Sequence, residues 1–437
     1  MLRLTLWSSL LAAAVPGLCG EVGKLVASKE PGWPQFRGPR RDGICDEKGL
    51  LQSWPEGGPK LLWTASGMGR GYSSPIITRG SIYITGDFGK ELHVLALDME
   101  GKLKWRAPNG SSWTRNYPGS RSSCTYDEGR LYHMNAHGRV ACFDPATGGE
   151  VWAVNVCERF EGQPIFWGLA EAVLVDGPRA IATPGGKKAL MVALDKKTGA
   201  TVWATEPLMF DRTAKFGGGD LPQPVRAADQ AGYASPVLFE LGGRRHIVGC
   251  SSRHAFGVDA ETGKLLWTFP MPTVWEVLAC IPTLYKDCVF VTGPDGRGGE
   301  LLRLRVEGQS VRAEEVWTAE MDTCQGGVIA IGDVLYGSWY RHYSGVGCID
   351  ALTGKTLYRT NEVVKGSMLY ADGRLYYLSE QGVMALLKPT PTGFEFAGRF
   401  NLTERGRGDV WPHPVILDGR LYLRYHDKLS CYDVKAK

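Results

Sequence analysis

The stretch A-L-D-K-K-T-G-A-T-V-W, Ala193 to Trp203, spells a strand, a tight turn and a second strand. It does not stand alone. C-F-D-P-A-T-G-G-E-V-W ends at Trp152, G-V-D-A-E-T-G-K-L-L-W ends at Trp267, and C-I-D-A-L-T-G-K-T-L-Y ends at Tyr358. In D-x-x-T-G the Asp side chain accepts backbone N–H groups two residues on, Thr does so more weakly, and Gly takes the positive-φ position. The terminal aromatic offers a large flat face for burial against a neighbour.

Tracing the rhythm outward gives eight unit ends, at Trp63, Trp105, Trp152, Trp203, Trp267, Trp317, Tyr358 and Phe400, with gaps of 42, 47, 51, 64, 50, 41 and 42 residues. Each unit holds two more apolar runs, such as S-S-P-I-I (Ser73–Ile77) before Ser81–Thr85, A-S-P-V-L (Ala234–Leu238) before His246–Cys250, and H-P-V-I-L (His413–Leu417) before Arg420–Arg424. Four strands at a period of about 40 to 50 residues mark a β-propeller blade. K-L-L-W at Lys60–Trp63 is a second half without a first, and L-S-C-Y-D at Leu429–Asp433 is a first half without a second. Joining them predicts an all-β, eight-bladed ring over residues 60–437, closed by its two ends and free of an open seam.

The remaining composition is that of a globular chain: 437 residues, 43% hydrophobic, 22% charged, net charge +4, with 57 glycines and 25 prolines to serve many turns. No Lys/Arg cluster points to nucleic acid or an anionic membrane. Residues 1–20 read as a secretory signal peptide, with Arg3 at the start, an apolar run Leu4–Leu18, and Gly17, Cys19 and Gly20 near the cleavage point. A lipoprotein is the lesser alternative, because Leu18 before Cys19 suits lipidation badly. The mature chain carries no further apolar run long enough to span a membrane, so a periplasmic or secreted monomer is expected. Ten cysteines remain after Cys19; none are adjacent and no C-x-x-C occurs, so metal-ribbon and covalent-haem readings fail. Most fall in strands, where a small buried hydrophobe is their expected role.

The repeats resemble those of the PQQ-like β-propeller superfamily, which takes in quinoprotein dehydrogenases and the outer-membrane assembly protein BamB. W-P-Q-F-R-G-P-R-R-D-G (Trp33–Gly43), followed by W-P-E-G-G-P-K-L-L-W, is similar to an exported bacterial subgroup of that fold. For the quinoprotein branch the resemblance implies PQQ held between a Trp and a disulfide of adjacent cysteines, with Ca²⁺ on carboxylate and amide ligands and an Asp base. The adjacent cysteine pair is missing here. Hydrolase, zinc-protease, P-loop and EF-hand signatures are also missing. The eight histidines are scattered, and His133 and His137 lie on a strand and a turn, where a spacing of four does not align them.

Residues just ahead of the apolar inner runs lie near a propeller axis. They include Arg70, Tyr72, Tyr117, Arg121, Trp167, Tyr233, Trp275, Glu276, Gln325, Lys365, Trp411 and His413. Such a set forms either a funnel for an anionic or planar ligand or simply the packed lining of the axis. Glu276 is the one carboxylate placed there. Two segments break the repeat: Phe210–Tyr233, read as a long loop, and residues 21–59, read as a cap anchored by Trp33, Phe36 and Trp54. Ser338–Gly345 is an aromatic and basic loop that either contacts a partner or only turns. The expectation is a non-catalytic envelope scaffold without a cofactor, binding a protein or cell-envelope component by loop docking or β-augmentation. The alternative is a PQQ- and Ca²⁺-dependent oxidoreductase with its cofactor in the funnel.

Overall fold

Four of the repeated turns show why the motif recurs. Asp144, Asp195, Asp259 and Asp350 each accept the backbone N–H of the Thr three residues on, at 2.8–3.0 Å, and of the residue before it. Those bonds hold the Asp144 carboxyl below its ordinary range. The turn glycines sit at φ +74° (Gly148), +73° (Gly199), +74° (Gly263) and +73° (Gly354). Each also lies against the aromatic that ends the preceding blade. A methyl group on Gly263 would stand 2.5 Å from Trp203 Cε3, and one on Gly199 would stand 2.7 Å from Trp152 Cε3. The same Trp residues reach forward: Trp105 Nε1 donates to Pro145 O at 2.9 Å and Trp152 Nε1 to Lys196 O at 3.0 Å. The repeat is thus both a turn and a clasp between neighbouring blades. Replacing Gly263 by Ala is expected to cost about 2–3 kcal/mol, from left-handed strain plus the Trp203 clash, in denaturant unfolding. A like change at the open Gly308 (φ +61°, no neighbour within 4 Å) should cost only the strain.

The computed structural model describes residues 22–341, 343–403 and 409–436. The proposed signal peptide lies outside them. Eight four-stranded antiparallel blades follow in order: blade 1 at 76–111, blade 2 at 125–155, blade 3 at 174–204, blade 4 at 237–270, blade 5 at 283–319, blade 6 at 329–360, blade 7 at 366–401, and blade 8. Blade 8 takes Val415–Leu417, Arg420–Tyr425 and Lys428–Asp433 from the end of the chain and Lys60–Ala65 from its beginning. The last pair runs antiparallel, with Lys60 opposite Asp433 and Thr64 opposite Ser430. Across the seam, Gly101 of blade 1 lies under Trp63 as the other turn glycines lie under theirs. The core is a set of clusters between adjacent blades, such as Tyr132, Val140, Val173 and Leu194. One single-turn helix, Val156–Arg159, links blade 2 to blade 3.

Residues 22–59 run across the face formed by the turns between the first two strands of each blade. Gly23 N donates to Lys286 O (blade 5), Lys24–Leu25 pair with blade 4, and Trp33 exchanges backbone bonds with Ile77 (blade 1). Tyr126 N donates to Pro34 O (blade 2) and Ile44–Cys45 pair with blade 7. Glu47 accepts N–H bonds from Asp418 and Gly419 (blade 8). Two fully buried guanidiniums complete the set. Arg37 donates to Val328 O at 2.8 Å, ahead of blade 6. Arg41 donates to Ala172 O, Val173 O and Pro236 O at 3.1, 2.6 and 3.2 Å, ahead of blades 3 and 4. The segment therefore touches every blade and plugs the axis from one end.

The region 210–233 departs from the expected loop. Met209–Ala214 and Asp220–Ala228 form a two-stranded ribbon that pairs with no other strand among the described residues. Its Gly217–Gly219 turn and its prolines, Pro222 and Pro224, read as loop in sequence. A ribbon edge tolerates proline, because no further strand needs the missing N–H. An isolated hairpin is marginal in water, and this one is held by side chains: Arg212 pairs with Glu276, the Phe216 ring lies 5.4 Å from that of Trp275, and Gly217 N donates to Val274 O.

Candidate functional site

At the end of the axis opposite the cap lies a funnel of about 270 Å³. The position four residues ahead of the inner strand lines it in seven blades: Tyr72, Arg121, Ala170, Tyr233, Ala279, Gln325 and Trp411. Two residues later come Ser74, Ser123, Ser235 and His413, deeper in the cavity. Inner strands converge on the axis, so a fixed offset from each strand points at a common space. The connecting segments add Tyr117, Trp167 and Trp275, and the loop after the second strand of blade 6 adds Tyr340 and Arg341. Phe36 from the cap also lines the cavity, its ring 5.0 Å from His413 and edge-on to it, so the funnel is blind.

The aromatic rings form a continuous wall. Tyr72 and Trp411 lie 4.7 Å apart, Trp411 and Tyr117 4.9 Å, Tyr117 and Trp167 6.2 Å, and Trp167 and Trp275 6.5 Å, with Phe216 and Phe166 carrying the wall outward. The mouth is left open, with Tyr117 53%, Phe166 45% and Val274 44% exposed.

Three sequence candidates do not line the cavity. Arg70 is exposed, its backbone bridged to Asp87. Lys365 lies behind Tyr340, its Nζ 3.8 Å from the ring centroid and 3.5 Å from Glu380. Glu276 turns away into a buried ion pair with Arg253 and Arg212. The carboxylate that does line the funnel is Asp295, and Arg341 holds it. The sequence does not single out Asp295, marks Phe36 only as a cap anchor, and holds Tyr340 and Arg341 in the aromatic and basic loop Ser338–Gly345 without placing them at the axis. Asp295 and Tyr340 sit in loops between second and third strands, which no offset from an inner strand locates.

Charge in the funnel is sparse and mostly committed. Burial, and then Arg37, pull the His413 imidazole down to about 3. Its Nε2 donates to Gln325 O at 2.9 Å, which leaves Nδ1 to accept from Arg37 Nη1 at 3.4 Å. It is neutral and engaged at both nitrogens. Arg121 differs in having no carboxylate within ion-pair distance among the described residues; it donates to the carbonyls of Asn116, Tyr117 and Trp167.

Behind the wall lie two carboxyls, Glu171 buried and Asp87 half-buried. Desolvation raises Asp87 to about 7 and Glu171 to about 8. Glu171 Oε1 accepts from Thr183 N at 3.1 Å, while Oε2 is buried without a partner. The folded state keeps this proton after the unfolded chain has lost it. Stability should therefore fall as pH rises from about 4.5 to about 8, by up to roughly 5 kcal/mol in total. Thermal midpoints at pH 5 and pH 8 should draw several degrees closer together in Glu171→Gln than in the parent.

All ten described cysteines are free thiols, and nine are buried. Cys324 alone is partly accessible, in the funnel wall. Burial pushes its thiol well above the ordinary range, so a maleimide should label the native protein slowly and only at Cys324, and reductant should leave the melting temperature unchanged; mass spectrometry and a melt check both.

The family profile described as outer membrane protein assembly factor BamB matches residues 90–343. The chain belongs to that family. Among solved structures, this BamB-family propeller is similar to BamB from Moraxella catarrhalis, at 14% identity over 86% of this chain and 98% of that one, with a TM-score of 0.56. It is also similar to the quinohemoprotein alcohol dehydrogenase of Comamonas testosteroni (13% identity, 94% and 82% covered, TM-score 0.64) and to a europium-containing methanol dehydrogenase (14%, 90% and 89%, 0.60). At such identities the likeness is one of fold. No curated protein sequence gives a significant match. The donor set of this funnel does not suit a quinone with its metal. A hard cation takes six to eight oxygen ligands, whereas the wall of this BamB-family funnel offers one carboxylate, already paired. Among the described residues no group of three or more His, Cys, Asp or Glu is placed to hold a metal.

Proposed function

We propose that this BamB-family propeller is exported by residues 1–20 and acts in the cell envelope as a monomeric, non-catalytic binding scaffold whose funnel mouth is the docking face. One observation carries the reading. The carboxylate and imidazole that line the funnel are spent on structure, Asp295 on Arg341 and His413 on Gln325 and Arg37, as is the neighbouring Glu276 on Arg212 and Arg253. Asp87 and Glu171 stand behind the wall and do not line the cavity. What is left open is aromatic surface at the mouth, the residue class that anchors recognition. The family description as an assembly factor supports a binding role. No helix among the described residues is long and apolar enough to cross a membrane.

The test is site-specific photo-crosslinking in the producing cell, with benzoylphenylalanine at Tyr117 or Phe166 in the mouth and at Val202 on an outer strand, 50% exposed. Adducts from the mouth positions and none from Val202 are expected. Adducts from Val202 alone, or none from the mouth, would overturn the reading.

A further inference from the structure

We infer that the funnel receives the acidic end unit of a saccharide, a pyranose bearing a carboxylate. The inference rests on the funnel's being a binding site. Shape comes first. The floor is closed by Phe36 and, beneath it, the cap, so the cavity accepts a chain terminus and not a strand passing through. The rings around it do not form a parallel-sided slot: successive pairs meet at 33°, 73°, 29° and 82°. A flat ring system gains most from faces parallel to its own. A puckered ring with C–H groups on several sides gains contact from walls at several angles.

The polar groups then narrow the ligand. Ser74 Oγ accepts the His413 N–H at 2.7 Å, and Ser235 Oγ accepts the Ala172 N–H at 2.9 Å. Each hydroxyl is thereby fixed in place with its own proton free to donate. The Gln325 carboxamide lines the same cavity and bonds no described residue. An apolar or aromatic peptide side chain in this space would strand these groups, at a cost that burial does not repay. The vicinal hydroxyls of a sugar satisfy them. Arg121 supplies the remaining term, a guanidinium with no carboxylate partner on a wall of aromatic rings, suited to a carboxylate from the ligand.

The experiment is titration of the mature full chain, by calorimetry and by fluorescence of Trp167, Trp275 and Trp411. The probes are trisaccharides of galacturonate, glucuronate and mannuronate, their methyl esters, neutral cellotriose, and a tripeptide ending in a free phenylalanine carboxylate. At least one acid should bind saturably below millimolar concentration, with its ester at least tenfold weaker. Arg121→Gln should bind acid and ester alike, and Ser235→Ala should weaken both several-fold. Equal affinity of acid and ester on the parent protein would overturn the carboxylate assignment whatever the variants do. Binding of the peptide but of no saccharide, or of neither, would overturn the inference. If mouth crosslinks persist in that case, the scaffold reading survives it; if they too are missing, both fall.

Discussion

Truncation after Tyr425 is expected to abolish cooperative unfolding and leave aggregating material, because it removes the strand that closes the ring. Lys428–Asp433 pairs with Arg420–Tyr425 on one side and with Lys60–Ala65 on the other. Without it the N-terminal strand has no partner, and Leu429 and Cys431, both fully buried, leave the core shared with Trp63 and Tyr422. Blades 7 and 1 would then expose apolar faces, and an open edge invites pairing between chains. Size exclusion and a circular-dichroism melt read the outcome. The reverse experiment strengthens the same seam. Thr64 and Ser430 are direct partners with side-chain oxygens 2.9 Å apart, 366 residues apart in sequence. A Thr64→Cys/Ser430→Cys disulfide across so long a loop should stabilise by up to about 5 kcal/mol on chain entropy, and dithiothreitol should remove the gain. A truncated protein that melts like the parent would mean that the ring does not depend on its closure.

Arg41→Met is expected to cost about 5 kcal/mol, near the top of the range for one substitution. The side chain is 2% exposed. Burial lowers its guanidinium to about 9, so it remains charged at neutral pH. It satisfies three carbonyls ahead of blades 3 and 4 and also bonds Gln35 Oε1 at 2.9 Å. Methionine fills the space but leaves Ala172 O, Pro236 O and Gln35 Oε1 buried without this donor, at about 1–3 kcal/mol each, while Val173 O keeps the Thr125 hydroxyl at 2.6 Å. Arg40→Ala is the control. That neighbour is partly exposed and pairs with Asp42 and Asp46, so its loss should cost under about 1 kcal/mol. Urea unfolding of the two variants should separate them clearly. Equal effects would mean that the cap does not bind the blades through Arg41.

Arg40 and Arg41 also mark where the sequence stops being legible. They are adjacent and identical in type, yet one is a surface charge and the other a plug, a difference set by φ and by carbonyls from residues 131 to 195 positions away. The ring was readable because each blade repeats its own turn chemistry, and Lys60–Trp63 and Leu429–Asp433 are halves of one unit. Part of the funnel was readable for a related reason: Tyr72, Arg121, Tyr233, Gln325 and Trp411 keep a fixed offset from an inner strand. Glu276 and Asp295 were not, since both are carboxylates in irregular connections and only their arginine partners, Arg253 and Arg341, decide which way they face. The 209–228 ribbon was hidden by glycine and proline, which punctuate loops and are equally at home on an unpaired edge.

Binding without redox catalysis is the central claim, and one titration tests it most directly. Purified mature protein is titrated with PQQ with and without Ca²⁺, following tryptophan fluorescence, and then supplied with alcohols and aldoses and an electron-accepting dye. The account predicts that Ca²⁺ leaves the fluorescence response unchanged and that no substrate reduces the dye. Saturable, Ca²⁺-dependent quenching at micromolar PQQ together with substrate-dependent dye reduction would contradict it.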